Sequence, residues 1–377
     1  MNVKRQYDMH RSEYNYVITK AAESGKYIGG IAVEEFEKNF SKYMKVKHAI
    51  SCGSGTDALV IALRALNIGE GDEVITTAFT FFATVESIVN VGATPVFVDV
   101  EKDTFCIDPH KIEEKITSRT KAILPVHLYG NSADMDAIKK IANRYKLRII
   151  TDCAQATGTK YKGERKNILG DIGCFSFFPT KNLGGIGDGG MILTDDDSLA
   201  LACKSYRAHG SGIDFEREYQ EEAVYDKYHN HHIGYNSRLD AIQATFLNKR
   251  LDYLDDSLKE RRSIANFYFE NLDVAKYSLP KVRKDIVHSY YFFALQNIKA
   301  KKIMEILNDK GIESKTYYPV PAHLQKALSY LNYKQGSLPV TEQLCNTTFG
   351  IPVYPGMTYE EKAYVVCVLN SINPNEV

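Results

Sequence analysis

The sequence predicts an α/β fold: a large domain with a mostly parallel sheet flanked by helices, plus a smaller α+β C-terminal domain. Three observations predict it. Short apolar runs at 73–76, 95–98, 122–126 and 148–151 alternate with helical patterns at 81–91, 109–117 and 133–145. The runs are apolar on both faces, as strands in a sheet covered by helices must be. From about residue 275 the alternation gives way to an α+β pattern. The expected division is 1–250 for an arm and the large domain, and 251–377 for a connector helix and the small domain.

Composition sets the bounds. The chain has 377 residues, 44% apolar and 25% charged, ordinary for a globular protein. Lys+Arg and Asp+Glu both number 47, so the formal charge is zero. That balance points to no nucleic acid and no anionic membrane surface. The start MNVKRQYDMH has no apolar h-region, and no apolar run approaches a membrane span. The seven cysteines include no C-x-x-C pair, so free thiols in a reducing cytoplasm are expected.

The elements follow in order. Residues 1–50 read as an arm and a helix, with Val33, Phe36, Phe40 and Tyr43 near helical spacing. Residues 51–57 form a small-residue loop that leads into a buried helix at 58–63. A Gly-Ser-Gly-Thr turn at a helix N-terminus is a ready anion site, or simply an N-cap turn. Asp108 before Pro109 and Ser132 before Ala133 are N-cap signals. An aromatic strand runs from Phe175 to Phe178 into Pro179-Thr180-Lys181. Gly184, Gly185, Gly187, Gly189 and Gly190 follow, then a second strand at 191–194. A helix is expected at 198–209, then a polar aromatic loop that includes 225–232. His229, His231 and His232 lie in that loop without a second ligand cluster, so a lid or interface is favoured over a metal. Ser237 opens a long amphipathic helix through Leu239, Ile242, Phe246, Leu247, Leu251 and Leu254. A strand at 288–298, a helix at 301–310, an extended stretch at 312–318 and a Thr358–Glu361 capping box complete the chain.

One motif is set aside. Residues 185–190 fit G-x-G-x-x-G, but a strand follows them where a dinucleotide site needs a helix.

The chemistry lies at strand ends, where ligands of parallel sheets gather. Asp152 follows the run 148–151, Phe81 follows the run 73–76, and Lys181 follows the aromatic strand. Pyridoxal phosphate needs a lysine for its aldehyde, a carboxylate for its ring nitrogen, N–H groups and hydroxyls for its phosphate, and an apolar face for its ring. Lys181, Asp152, the Gly55-Thr56 turn with Ser176, and Phe81 could supply these in turn.

The chain resembles the sugar aminotransferases of the DegT/DnrJ/EryC1/StrS family, which share fold type I of the pyridoxal-phosphate enzymes. The resemblance rests on SGTDAL (54–59), FTFFAT (79–84), GATPVFVDV (92–100), VHLYGNSADMDAI (126–138), DCAQATG (152–158), LGDIGCFSFFPTKNLGGIGDGG (169–190) and GYNSRLDAIQA (234–244). It implies that Lys181 is the Schiff-base lysine, that Asp152 pairs with the pyridinium nitrogen and that Gln155 approaches the 3-hydroxyl. It also implies that Phe81 stacks on the ring and that Gly55, Thr56 and Ser176 hold the phosphate. Asn236 would reach the phosphate of a neighbouring subunit, which implies a homodimer with shared active sites. Relatives often carry tyrosine where this chain has Phe178, and some carry histidine near Tyr317. These positions, with Tyr318, are the expected sugar contacts.

The implied reaction transfers an amino group from glutamate to a keto group of a nucleotide-linked deoxysugar. The DxAQA form at Asp152 and Gln155 resembles enzymes that aminate C-3, so a dTDP-linked 3-keto-6-deoxyhexose is the expected substrate. A 4-keto sugar, a keto cyclitol and a non-catalytic sensor of the same fold stay open as alternatives.

Overall fold

The computed structural model describes residues 2–211 and 229–373. Tyr225, Asp226, Lys227 and Tyr228 of the polar aromatic loop lie outside them.

The N-terminal region holds three helices, α1 (Val3–Asp8), α2 (Arg11–Glu23) and α3 (Ile31–Met44). Val33, Phe36, Phe40 and Met44 form the buried stripe of α3, at spacings that return to one helix face. Then come β1 (His48–Cys52), α4 (Gly55–Ala65), β2 (Glu73–Thr77), α5 (Phe82–Asn90), β3 (Thr94–Val98) and β4 (Thr120–Leu124). Next are α6 (Met135–Tyr145), β5 (Arg148–Asp152), β6 (Lys160–Tyr161), β7 (Ile172–Ser176), β8 (Gly190–Thr194) and α7 (Asp197–Arg207). The chain continues with α8 (Ala241–Leu251), α9 (Leu254–Asn271), β9 (Ile286–Val287), β10 (Phe293–Gln296) and α10 (Ala300–Asp309). It ends with α11 (Pro339–Thr347), β11 (Thr348–Ile351) and α12 (Tyr359–Ser371).

Seven strands form the main sheet in the order β1-β8-β7-β5-β4-β2-β3. Only β8 runs against its neighbours, because the glycine-rich loop before it reverses the chain after β7. Six carboxyl ends therefore open on one edge of the sheet. One apolar face packs Phe36, Phe40, Phe175, Phe177, Ile138 and Leu247; the other packs Leu59, Ile61, Ile88 and Cys203. Phe40 meets Phe175 and Phe177 edge-on, each with centroids 5.5 Å apart. Each such buried ring contributes about 1.5–3 kcal/mol by area. A further cluster joins Ile264 and Tyr268 of α9 to β10, β11, α10 and α12. All seven cysteines are free, and six are buried. No helix among the described residues is long and apolar enough to cross a membrane.

Several local expectations are corrected. Residues 109–117 form two short 3-10 turns, Pro109–Lys111 and Glu113–Lys115. Asp108 does cap the first turn, but only Pro109 and Ile112 are buried there, too little to anchor an α-helix. The cap of α6 is Asp134, whose side chain accepts from Ala137 N at 3.1 Å, while Ser132 Oγ donates to the Ala133 carbonyl. The long helix expected from Ser237 starts at Ala241, after the N-cap Asp240, and is two helices. They break at Asp252 and Tyr253, where Tyr253 stacks on His10 at 3.7 Å and donates to Glu13 at 2.6 Å. The expected strand at 288–298 is reduced to 293–296. Its first part leaves the sheet so that Ser289 N and Phe292 N can donate to Gly130 and Tyr129. Strand β1, partly read as loop, pairs along β8 in a contact that local sequence does not announce. The Thr358–Glu361 capping box is formed as expected.

Candidate active site

The carboxyl ends of β1, β2, β5 and β7 bring most of the candidate residues to one edge. Asp152 is the last residue of β5 and is buried. Its Oδ2 accepts from Thr84 Oγ1 at 2.8 Å and its Oδ1 accepts from Ala154 N at 3.1 Å. Thr84 in turn shares a 2.8 Å hydrogen bond with Thr80. Burial pushes the Asp152 carboxyl above its usual range, against these two donors and the attraction of Lys181. A carboxylate that is costly to ionise alone favours a cation beside it.

Lys181 lies in the turn after β7, with its N–H on the Phe178 carbonyl at 2.8 Å. Its Nζ stands 4.6 Å from the centre of the Tyr291 ring. Burial pushes its pKa down to about 8, and Asp152 partly opposes the shift. At pH 7 about a tenth of such an amine is neutral, against less than about a thousandth for an ordinary lysine, and the neutral form is the one that attacks a carbonyl.

Gly55 and Thr56 open α4, behind the N-cap Ser54. A Cβ on Gly55 would meet the Cβ of Ser176 at 2.6 Å, so only glycine lets the helix end approach β7 this closely. Free N–H groups of the first turn and the Ser176 hydroxyl thus share one small cradle, suited to an anion. Ser237 ties the cradle down: its Oγ accepts from Gly53 N at 2.9 Å and donates to Asp57 at 2.6 Å. Phe81 stands before α5 and is exposed, with its ring 5.7 Å from that of Tyr318.

Gln155 lies in the turn after β5. Its Oε1 accepts from Tyr129 N at 2.8 Å, which leaves Nε2 as the outward donor, bonded to Tyr318 OH at 2.8 Å. Tyr317 packs on Phe292 and Tyr318, and its carbonyl accepts from Tyr129 OH. A cavity of about 140 Å³ adjoins this wall, lined in part by Thr180, Tyr291, Lys315 and Tyr317. A larger cleft, about 510 Å³, includes Gly170 and Asp171 at the start of β7 and none of the candidate residues. Phe178 is half exposed beside the Lys181 turn.

The structure thus gathers Lys181, Asp152, Gln155, Phe81, Tyr317 and Tyr318, with Gly55, Thr56 and Ser176 at the adjoining cradle. Asn236 stands apart as an exposed residue whose backbone bridges to Ala208. Among the described residues, no group of three or more His, Cys, Asp or Glu could hold a metal. Sequence reasoning missed Thr84, Tyr129, Tyr291 and Ser237. Thr84 was within reach, since it closes the FTFFAT segment (79–84) that already supplied Phe81. The other three act across long sequence separations.

Comparison with known proteins gives consistent findings. The model of the DegT/DnrJ/EryC1/StrS aminotransferase family matches residues 8–370. A protein of Geobacillus stearothermophilus named as a pleiotropic regulatory protein is 43% identical, covering 97% of this chain and 96% of its own. The dTDP-3-amino-3,6-dideoxy-alpha-D-galactopyranose transaminase of Aneurinibacillus thermoaerophilus is 42% identical, covering 97% of both chains. Among solved structures, DesV of S. venezuelae superposes with a TM-score of 0.91 at 36% identity, over 98% of this chain and 96% of that one. NtdA of Bacillus subtilis, solved with bound cofactor PMP, superposes with a TM-score of 0.86 at 35% identity, over 96% of this chain and 81% of that one.

Proposed function

This chain belongs to the DegT/DnrJ/EryC1/StrS aminotransferase family, and from that premise we propose that it transfers an amino group from glutamate to C-3 of a nucleotide-linked 3-keto-6-deoxyhexose, with dTDP as the nucleotide. The observation that carries the reading is the placement of Lys181, its pKa down to about 8, within electrostatic reach of the buried Asp152 at one sheet edge. It is an enzyme, and its cofactor is pyridoxal 5'-phosphate. Its residues fit that group: a buried carboxylate for the ring nitrogen, a readily deprotonated lysine for the aldehyde, and a glycine-opened helix end for the phosphate. Bound there, the cofactor supplies an aldehyde that carries the amine and a protonated ring that accepts electrons.

The chain's own groups do the rest. Lys181 would hold the cofactor and, as a free amine, would carry a proton to and from the amino-bearing carbon. Asp152, oriented by Thr84 and Ala154, would keep the ring nitrogen protonated. Gln155, turned by Tyr129 N–H, would offer its amide donor to the ring oxygen. Phe81 would supply an apolar face for the ring, and Phe178, Tyr317 and Tyr318 would contact the sugar. Glutamate leaves as 2-oxoglutarate, and the keto sugar leaves as the amino sugar.

The C-3 assignment draws on the 3-amino product named for the transaminase of A. thermoaerophilus and on Gln155 beside the cofactor. Supplying purified 3-keto and 4-keto isomers with glutamate, and locating the new C–N bond by NMR, tests it. Amination of the 3-keto isomer is expected; amination of the 4-keto isomer alone would reassign the carbon.

Assembly belongs to the same proposal. Tyr27, Ile28, Ile31 and Ile186 are exposed, and two of them touch α8 or the residue before it: Ile28 bridges to Asp240, and Ile186 N donates to Gln243. An apolar patch beside the active-site loop suits a second copy of the chain. Asn236 would then reach the partner's phosphate cradle.

A further inference from the structure

The turn that carries Lys181 is held from two sides. On one side Asn182 Nδ2 donates to the Thr157 and Ser289 carbonyls, each at 3.3 Å. On the other side stands α8. Arg250 Nη1 donates to the Gly184 carbonyl at 2.9 Å, and Gln243 Oε1 accepts from Ile186 N at 2.9 Å. Gln243 and Arg250 are seven residues apart, two helical turns, and so project from one face. A Cβ on Gly184 would collide with the Pro179 carbonyl, so the loop packs directly on the lysine turn.

Arg250 reaches one step further. Its Nη2 donates to Gln6 Oε1 of α1 at 2.6 Å, with both side chains buried. The Gln6 Nε2 has no hydrogen-bond partner among the described residues, so its contact with Arg250 is what orients that amide. Both of these Arg250 hydrogen bonds end on neutral oxygens. A buried guanidinium held this way costs desolvation without a carboxylate to offset it. An apolar residue would fill the site at less cost, which calls for a role beyond packing.

We propose that Arg250 is a positioning residue for Lys181: it clamps the Gly184 carbonyl between α8 and the N-terminal helix, and so fixes the turn from which the lysine reaches its substrate carbon. The N-terminal helix thereby becomes part of the active-site frame through Gln6. The inference rests on the proposed role of Lys181. That role fails if Lys181→Ala keeps its turnover, an outcome independent of anything measured at Arg250.

The test uses the holoenzyme with Arg250→Met, Arg250→Lys and Gln6→Leu. A displaced reacting group costs up to about 100-fold in rate. Arg250→Met should therefore lose kcat by about that factor, with the KM for glutamate held within about twofold and the cofactor retained. Arg250→Lys, which keeps a donor for Gly184, should recover part of the loss. Amide exchange in the peptide spanning 182–188 should quicken about tenfold in Arg250→Met, while the peptide of β5 keeps its wild-type rate. Gln6→Leu leaves Arg250 and all the proposed catalytic groups in place, so it serves if Arg250→Met does not fold. It should quicken the same peptide alone and lower kcat without raising KM. Wild-type exchange at 182–188 in Arg250→Met, or in Gln6→Leu where Arg250→Met does not fold, or a kcat loss matched by equal exchange throughout the sheet, would overturn the proposal.

Discussion

At Lys181 two effects pull in opposite directions. Burial disfavours the ammonium, Asp152 favours it, and burial wins, which leaves a pKa of about 8 against 10.5 for an ordinary lysine. Below that value the amine is protonated and inert toward carbonyls; above it the amine is free. In the cofactor-free protein, capture of a small aldehyde at Lys181 should therefore rise with pH through about 8 and level off, as read by borohydride trapping and mass spectrometry of the Lys181 peptide. Asp152→Asn removes the opposing charge, so the midpoint should move lower still. A midpoint near the ordinary lysine value in the wild type would remove this account of the lysine's reactivity. Asp152 itself depends on Thr84, a residue that performs no chemistry but supplies one of the two donors holding the carboxylate.

Among the elements, α4 carries the proposed phosphate cradle. Its first turn faces β7 so closely that Gly55 has no room for a side chain. Gly55→Ala should push the helix end away from Ser176 and weaken cofactor binding about tenfold, the scale of about 1–2 kcal/mol for a misplaced helix-terminus contact. Ser54 still caps the helix through Asp57 N, so the fold should stay intact. Cofactor dissociation followed by absorbance, together with the thermal midpoint, separates the two effects. Unchanged affinity in Gly55→Ala would mean that the phosphate sits elsewhere. The element scale is also where local sequence misled. The long helix breaks at Tyr253, whose ring stacks on His10, and residues 288–292 leave the sheet because the N–H groups of Ser289 and Phe292 are taken by the Tyr129–Gly130 loop.

For the whole molecule, the prediction concerns two copies of the chain. Lys181→Ala and Asn236→Ala subunits should each be inactive. Mixed under conditions of verified subunit exchange, they should regain activity, because one site of each mixed dimer would hold both groups. No recovery would place Asn236 and Lys181 in the same subunit. Ser237 makes the arrangement testable in another sense: it is bonded to Gly53 and Asp57 of its own chain while its neighbour Asn236 is exposed. The proposed phosphate cradle is thus tied to the segment that would face the partner in the proposed dimer.

The sequence by itself determined the candidate groups. Lys181, Asp152 and the Gly55 turn were legible as candidates because each sits in a short segment whose residue types suit the chemistry, and because alternating strands and helices bring such segments to one sheet edge; Gln155 was legible only through the family resemblance. The strand-helix alternation was legible for the same reason: burial on both faces leaves its mark within a few residues. Only the tertiary structure decided what orients those parts. Tyr129 N–H turns Gln155, Tyr291 lies over Lys181 from beyond α9, and Arg250 joins Gly184 to Gln6. These contacts link residues 26 to 244 positions apart. A hydrogen bond of that reach depends on the relative placement of packed elements, and nothing in the neighbourhood of either residue encodes it.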